Sequence, residues 1–289
     1  MLCSKRNMRT FFLAIAIAAL GITSCNLVES KEGRKDTSGI TYSYTCLDTA
    51  VGGGQTKNAI RKTTGIIRDL AVNKKDITDA VQSDYGDAFH KDALESKTFV
   101  MLADPAINAQ LQTILKELLT VREAPSGIRY SIHLIDDKQI NAFTFGGYIY
   151  LTKAMYDKIK DNTDLLYSII GHEIGHSEKG HIKQTIQELE LSGKLFGENG
   201  MTYFQIKKFL TGSFNQRNEL EADYYGIDLT NQLDKNLCAT VAFWKEMAES
   251  ENSYSRLEDF FRTHPFSGLR AQCLQDHIQQ NFGANCAAR

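Results

Sequence analysis

Asp164-Leu165-Leu166-Tyr167-Ser168-Ile169-Ile170-Gly171-His172-Glu173-Ile174-Gly175-His176 reads as an amphipathic helix that ends in the pattern H-E-x-x-H. Leu165, Leu166, Ile169 and Ile170 form its apolar face, and Asp164 can cap its start. Residues four apart on a helix lie one above the other, so His172 and His176 can bind a single metal ion. Glu173, one position on, reaches a water beside that ion rather than the ion itself. Gly171 and Gly175 each cost the helix roughly 1 kcal/mol relative to alanine. Their presence implies the close approach of another element, or of a substrate.

Two histidines do not complete a metal site, and a third donor is required. His181 has the wrong spacing for the longer pattern H-E-x-x-H-x-x-G-x-x-H. That pattern needs glycine at Lys179 and histidine at Ile182, whereas this chain has Gly180 and His181, one residue early. His181 is therefore expected to be structural, near the end of the helix, where a cation is favoured. The better donor lies in Asn218-Glu219-Leu220-Glu221-Ala222-Asp223, a second helical stretch. Glu219 and Asp223 share a face there, and Glu221 is expected to point into solvent. Glu219 would complete a site of two imidazoles and one carboxylate, with the fourth position left for water. Asp223 would accept a hydrogen bond from the free ring nitrogen of a ligand histidine and fix its tautomer.

Around this centre the periodicity is mostly helical. Apolar residues recur at helical spacing from Ala59 to Leu119, as in Ile66, Leu70 and Ile77, then Ile107, Leu111, Ile114, Leu115 and Leu118. Asp104-Pro105 starts a helix and Pro125-Ser126-Gly127 makes a turn. Arg129 to Ile135 alternates like a strand, Tyr148 to Leu151 is a second short strand candidate, and after Asp164 the pattern is mostly helical to Phe282. The expected fold class is α+β, mainly helical, with a small β-sheet beside the H-E-x-x-H helix. Gly52-Gly53-Gly54 lacks a following Gly-Lys-Ser/Thr and reads as a loop, not a phosphate cradle.

Lys5, Arg6 and Arg9 precede an apolar run from Phe11 to Ile22, too short for a spanning helix but suited to an export signal. Ile22-Thr23-Ser24-Cys25 follows and resembles a bacterial lipobox, with Cys25 as the lipidated residue; an ordinary cleaved signal or an uncut anchor are the alternatives. The expected divisions are a signal peptide over 1–24, an anchor and flexible spacer over 25–45, an N-terminal helical region over 46–125 and a catalytic core over 126–289. Cys46, Cys238, Cys273 and Cys286 remain, an even count that suggests disulfides with three possible pairings. A bridge near the C-terminus is plausible, and zinc ligation by these cysteines is disfavoured because no C-x-x-C pair occurs. The formal charge of −2 over 289 residues gives no basic footprint, which argues against nucleic acid as a partner.

H-E-I-G-H followed by E-x-E-A-D resembles metallopeptidase family 48, the HtpX-like and CAAX-protease-like gluzincins. Asn141-Ala142-Phe143 with Gly146-Gly147-Tyr148-Ile149 resembles that family's N-A-F…G-G-x-I segment, and Thr263-His264-Pro265 its T-H-P segment, with Arg270 at a fitting distance. The resemblance spans about Gly127 to His277. It implies a zincin-like domain with one Zn2+ held by His172, His176 and Glu219, with Glu173 as base. It also implies that Asp223 lies behind a ligand histidine and that His264 sits near the metal as a catalytic group or a cap. Asn141 to Tyr148, including Asn141, Ala142, Phe143 and Gly147, would form the edge strand along which a polypeptide substrate lies. Unlike the membrane-embedded members, this chain has no long apolar run after its signal. The expectation is a metalloendopeptidase of the bacterial cell envelope, tethered by lipid on Cys25 at the outer membrane and facing the periplasm. The alternative is a metal-binding, chaperone-like lipoprotein with little proteolysis.

Overall fold

Helices α1 (Asp79–Glu95) and α2 (Pro105–Thr120) both open on side-chain caps. Thr78 accepts from the Val81 N–H, and Asp104 accepts from the N–H groups of Ala106 and Ile107 at 3.1 Å, just ahead of Pro105. The computed structural model describes residues 39–50, 72–196, 214–249, 260, 263–264 and 268–286. These all belong to one compact unit, Glu32–Arg289. The proposed signal, Cys25, most of the spacer, the glycine run at 52–54, Ile66, Leu70 and Pro265 lie outside the described residues.

Strands β1 (Ser131–Ile135), β2 (Ala142–Phe145) and β3 (Tyr148–Thr152) form a sheet of order β1-β3-β2, with β1 parallel and β2 antiparallel to β3. The stretch from Asn141 to Tyr148 is therefore not one strand. It is β2, a turn at Gly146-Gly147 and the first residue of β3. Both turn glycines have positive φ, 65° and 100°, as a tight hairpin turn requires. A Cβ on Gly146 would lie 2.3 Å from the Gly86 Cα, so the turn is where α1 meets the sheet. Alternation then sends Ile132, Leu134, Ala142, Ile149 and Leu151 into the main core with Leu111, Leu115 and Ile170. Ile135, Phe145 and Tyr150 face a second core containing Phe89 and Ile186.

After β3 come α3 (Lys153–Ile159), α4 (Thr163–Glu178), α5 (His181–Phe196), α6 (Gln216–Gln232), α7 (Cys238–Glu249) and α8 (Gly268–Phe282). The cap of α4 is Asn162, which accepts from the Leu165 N–H, and not Asp164. Asp164 sits in the first turn and accepts from the Asn236 N–H at 3.0 Å. Helices α4 and α6 meet at their glycines. A Cβ on Gly171 would lie 3.0 Å from the Gly226 Cα, and one on Gly175 would lie 2.9 Å from the Cα of Ala222. Another element, not open space, thus explains both helix-weakening residues.

The N-terminal segment is docked before residue 45, earlier than the spacer was expected to end. Thr41 and Asn281 exchange two hydrogen bonds at 2.8 and 3.0 Å, and the Tyr224 hydroxyl donates to the Ser43 carbonyl at 2.6 Å. Disulfides join Cys46 to Cys273 and Cys238 to Cys286, the second being the expected C-terminal bridge. Among the described residues no helix is long and apolar enough to cross a membrane.

Candidate metal centre and active site

The α4–α6 contact brings His172, Glu173 and His176 of α4 against Glu219 and Asp223 of α6. His172, His176, Glu219 and His264 each offer one donor atom, and these four atoms all lie within 4.8 Å of one another. The Nε2 atoms of His172 and His176 are 3.0 Å apart. The Glu219 carboxylate lies 3.5 Å from the first and 3.4 Å from the second. All four residues are buried.

The Nδ1 of His172 donates to Asp223 Oδ1 at 2.8 Å, which turns Nε2 toward the cluster. Arg270 of α8 holds the other side of Asp223, donating from Nε and Nη2 to Oδ2 at 3.0 and 2.8 Å. Its Nη1 donates to Glu219 Oε2 at 3.1 Å, and Trp244 covers the guanidinium at 4.8 Å. Arg270 is therefore part of the site, a role the sequence pattern did not assign.

Glu221 is not solvated as expected. It is buried, with Oε2 3.1 Å from His181 Nε2. His181 opens α5 after the left-handed Gly180 (φ 77°) and does not close α4. That turn carries its ring back to His176, with the two Nδ1 atoms 3.1 Å apart.

His264 lies in the cluster itself. Its Nε2 donates to the Ala142 carbonyl at 2.8 Å, because a carbonyl can only accept. In the neutral ring Nδ1 is then a lone pair, 3.1 Å from Glu219 Oε2 and 3.3 Å from His172 Nε2. Glu173 Oε1 is 3.4 Å from His264 Nε2. Thr263 Oγ1 donates to Asn141 Oδ1 at 3.2 Å, so Asn141 and Ala142 tie the end of β2 to the Thr263-His264 segment. Phe143 faces the other way and stacks on Tyr150. Gly147 sits in the hairpin turn against the Arg129 carbonyl, away from the β2 edge.

Burial raises the Glu173 carboxyl above its usual range, opposed by His264 and His172. Burial lowers His172, but Asp223 and Glu219 outweigh it and raise the ring to about 10. Burial holds His176 well below its usual value. For Glu219 burial acts upward and is overcome by His264, His176 and Arg270, which keep it ionised. Glu219 and Asp223 both bond the Arg270 guanidinium, which offsets part of their charge. Glu173 Oε2 and Glu219 Oε1 are buried without a hydrogen-bond partner among the described residues. Two imidazole nitrogens and a carboxylate oxygen are a donor set that suits zinc.

A model of peptidase family M48 matches residues 105–278, more than half of the chain and every residue of this cluster. The chain belongs to peptidase family M48. Its relatives include the metalloprotease LoiP of Escherichia coli K12, 27% identical over 199 residues that cover 64% of this chain and 76% of LoiP. The mitochondrial metalloendopeptidase OMA1 of Schizosaccharomyces pombe is 25% identical over 182 residues, 58% of this chain and 52% of OMA1. The β-barrel assembly-enhancing protease of Yersinia pestis is 25% identical over 201 residues, 62% of this chain and 40% of that protein. The chain thus spans about three quarters of LoiP but only about half or less of the other two. The M48 match begins at Pro105 and leaves α1 outside it, although α1 packs against the β2–β3 turn.

Proposed function

We propose that this M48 chain is a zinc endopeptidase in which His172, His176 and Glu219 hold the ion and Glu173 is the proton carrier. When bound there, zinc would acidify a water molecule and polarise a scissile carbonyl. The observation that carries this reading is Glu173, a buried carboxylate with one oxygen unpartnered among the described residues and its pKa raised, beside a convergent donor set. Such a group takes a proton from the attacking water and delivers it to the leaving amine nitrogen. His264 stands next to Glu173; burial lowers its pKa but Glu219 and Glu173 outweigh it, and the protonated ring can stabilise the charge that develops on the carbonyl oxygen. Among the described residues the β2 edge has one neighbour in the sheet, β3, so a substrate can add to it as a strand through backbone hydrogen bonds.

The expected result is that Glu173→Gln retains one zinc per chain while casein cleavage falls about 10²- to 10⁴-fold. Undiminished cleavage by the variant would end the assignment of the base.

The site of action follows from less. Two disulfides fit an oxidising compartment, and the lipobox-like Ile22–Cys25 fits lipid attachment at the bacterial cell envelope. One relative is named for enhancing β-barrel assembly, which points to unassembled envelope proteins as substrates. Proteins that accumulate in the envelope of a Glu173→Gln strain would identify them.

One observation favours a metal-binding module with little proteolysis. His264 supplies a fourth donor within the cluster, and four protein donors are the mark of a closed, structural site. Casein digestion with and without a chelator separates the two, since the closed site predicts no chelator-sensitive cleavage.

A further inference from the structure

His181 and Glu221 take no part in the chemistry above, yet both are buried against the ligand cluster. We propose that His181 and Glu221 form a relay that fixes the tautomer and ring orientation of His176, making them positioning residues for the metal site. This rests on the assignment of His176 as a ligand.

The atoms leave one consistent arrangement. His176 Nε2 faces His172 and Glu219, so it is the donor atom and carries no proton when a metal is held. The single proton of the neutral ring is then on Nδ1, which lies 3.1 Å from His181 Nδ1. Two protonated nitrogens cannot share that contact, so His181 Nδ1 accepts and its own proton sits on Nε2. Nε2 in turn lies 3.1 Å from Glu221 Oε2, which accepts. The chain of donors runs from His176 through His181 to a carboxylate, one imidazole longer than the direct contact from His172 to Asp223.

The surrounding elements hold this geometry. Gly180, at φ 77°, reverses the chain between α4 and α5 so that the first ring of α5 returns to the last ring of the motif. Phe214 stacks on His176 at 4.2 Å between ring centroids and restricts its rotation. Glu221 Oε1 lies 3.7 Å from the Arg217 guanidinium, which offsets part of its charge. Ligand histidines are oriented by the partner of the second ring nitrogen, and losing that partner typically costs 10- to 100-fold in metal affinity.

Zinc affinity is measured by competition with a fluorescent chelator at one pH on the full chain. His181→Phe, which keeps a ring but removes both polar atoms, should raise the zinc dissociation constant about 10- to 100-fold. His181→Gln should recover most of that loss, because its amide oxygen can accept from His176 and its NH₂ can donate to Glu221. In zinc-loaded wild type labelled with ¹⁵N-histidine, His176 Nδ1 should carry a proton and show a coupling across the hydrogen bond to an unprotonated His181 Nδ1. Affinity in His181→Phe within about twofold of wild type, or a protonated His181 Nδ1, overturns the relay. The spectrum needs no variant, so it decides the matter even if His181→Phe does not fold. Wild-type affinity in His176→Ala would instead overturn the ligand assignment on which the relay depends.

Discussion

The Tyr148 ring stacks on both His90 of α1 and His133 of β1, at 4.5 and 5.5 Å between centroids, and the two imidazoles lie tilted 4.5 Å apart. Burial and the neighbouring His90 push His133 down to about 4. Burial also lowers His90, against the opposing charge of Asp87. The unfolded rings titrate near 6.5, so between about pH 6.5 and 4 the unfolded chain binds more protons than the native one. Stability conferred by the neutral stack is therefore present above that window and is lost as pH falls through it. Metal-free wild type should show a steeper fall in Tm from pH 7 to pH 4.5 than metal-free His133→Phe. Parallel curves would remove His133 from the acid sensitivity. None of this stack is visible in the sequence, because His90 and His133 lie on different elements. The proposed metal site differs in this respect. His172 with His176, and Glu219 with Asp223, are each one helical turn apart, and a single period reveals them. Arg270 was picked out by the family resemblance alone, without a role, because it contacts Glu219 and Asp223 from 51 and 47 residues away, beyond any local period. Glu221 was misplaced because the polar flank of α6 is covered by the start of α5, a packing that helix periodicity does not contain.

Between elements, the contact that matters most is α4 on α6, since it sets the distance from the two histidines to Glu219. Gly175→Ala should gain about 1 kcal/mol in helix propensity but lose about 1–3 kcal/mol to overpacking. The new Cβ would stand 2.9 Å from the Cα and carbonyl oxygen of Ala222, backbone atoms that move only if α6 moves. Glu219 rides on that helix, so zinc affinity should fall with stability. Gly171→Ala, at 3.0 Å from Gly226, should show the same effects more weakly. Gly193→Ala in α5 meets nothing within 4 Å among the described residues and should be neutral or stabilising. Unchanged affinity and urea midpoint in Gly175→Ala would show that the interhelix distance is not set there. The helices were legible because their apolar periods are long and their caps conventional, as at Asp104-Pro105. β2 was legible only through family resemblance. It has four residues, and three of them are buried, so no alternation of polar and apolar types marks it.

At the scale of the whole molecule, two disulfides converge on the helix that carries Arg270. Cys273 lies within α8 and bonds to Cys46, while Cys286 lies just beyond α8 and bonds to Cys238. The even cysteine count was readable, but the pairing was not, because it depends on where the N-terminal segment docks. That segment reaches α8 through Thr41 and Asn281, partners 240 residues apart in sequence. Chain entropy ranks the bridges. Cys46–Cys273 closes a loop of sequence separation 227 and Cys238–Cys286 one of 48. On that model the first restrains the unfolded chain by about 5 kcal/mol and the second by about 4 kcal/mol. Urea unfolding of Cys46→Ala/Cys273→Ala and of Cys238→Ala/Cys286→Ala should show both destabilised, the former by about 1 kcal/mol more. The reverse order would mean that the unfolded chain already keeps its two ends close, so that joining them restricts little. Because Arg270 is anchored only as firmly as α8, zinc affinity should weaken in both variants, which ties the covalent frame of the molecule to the charge balance of its centre.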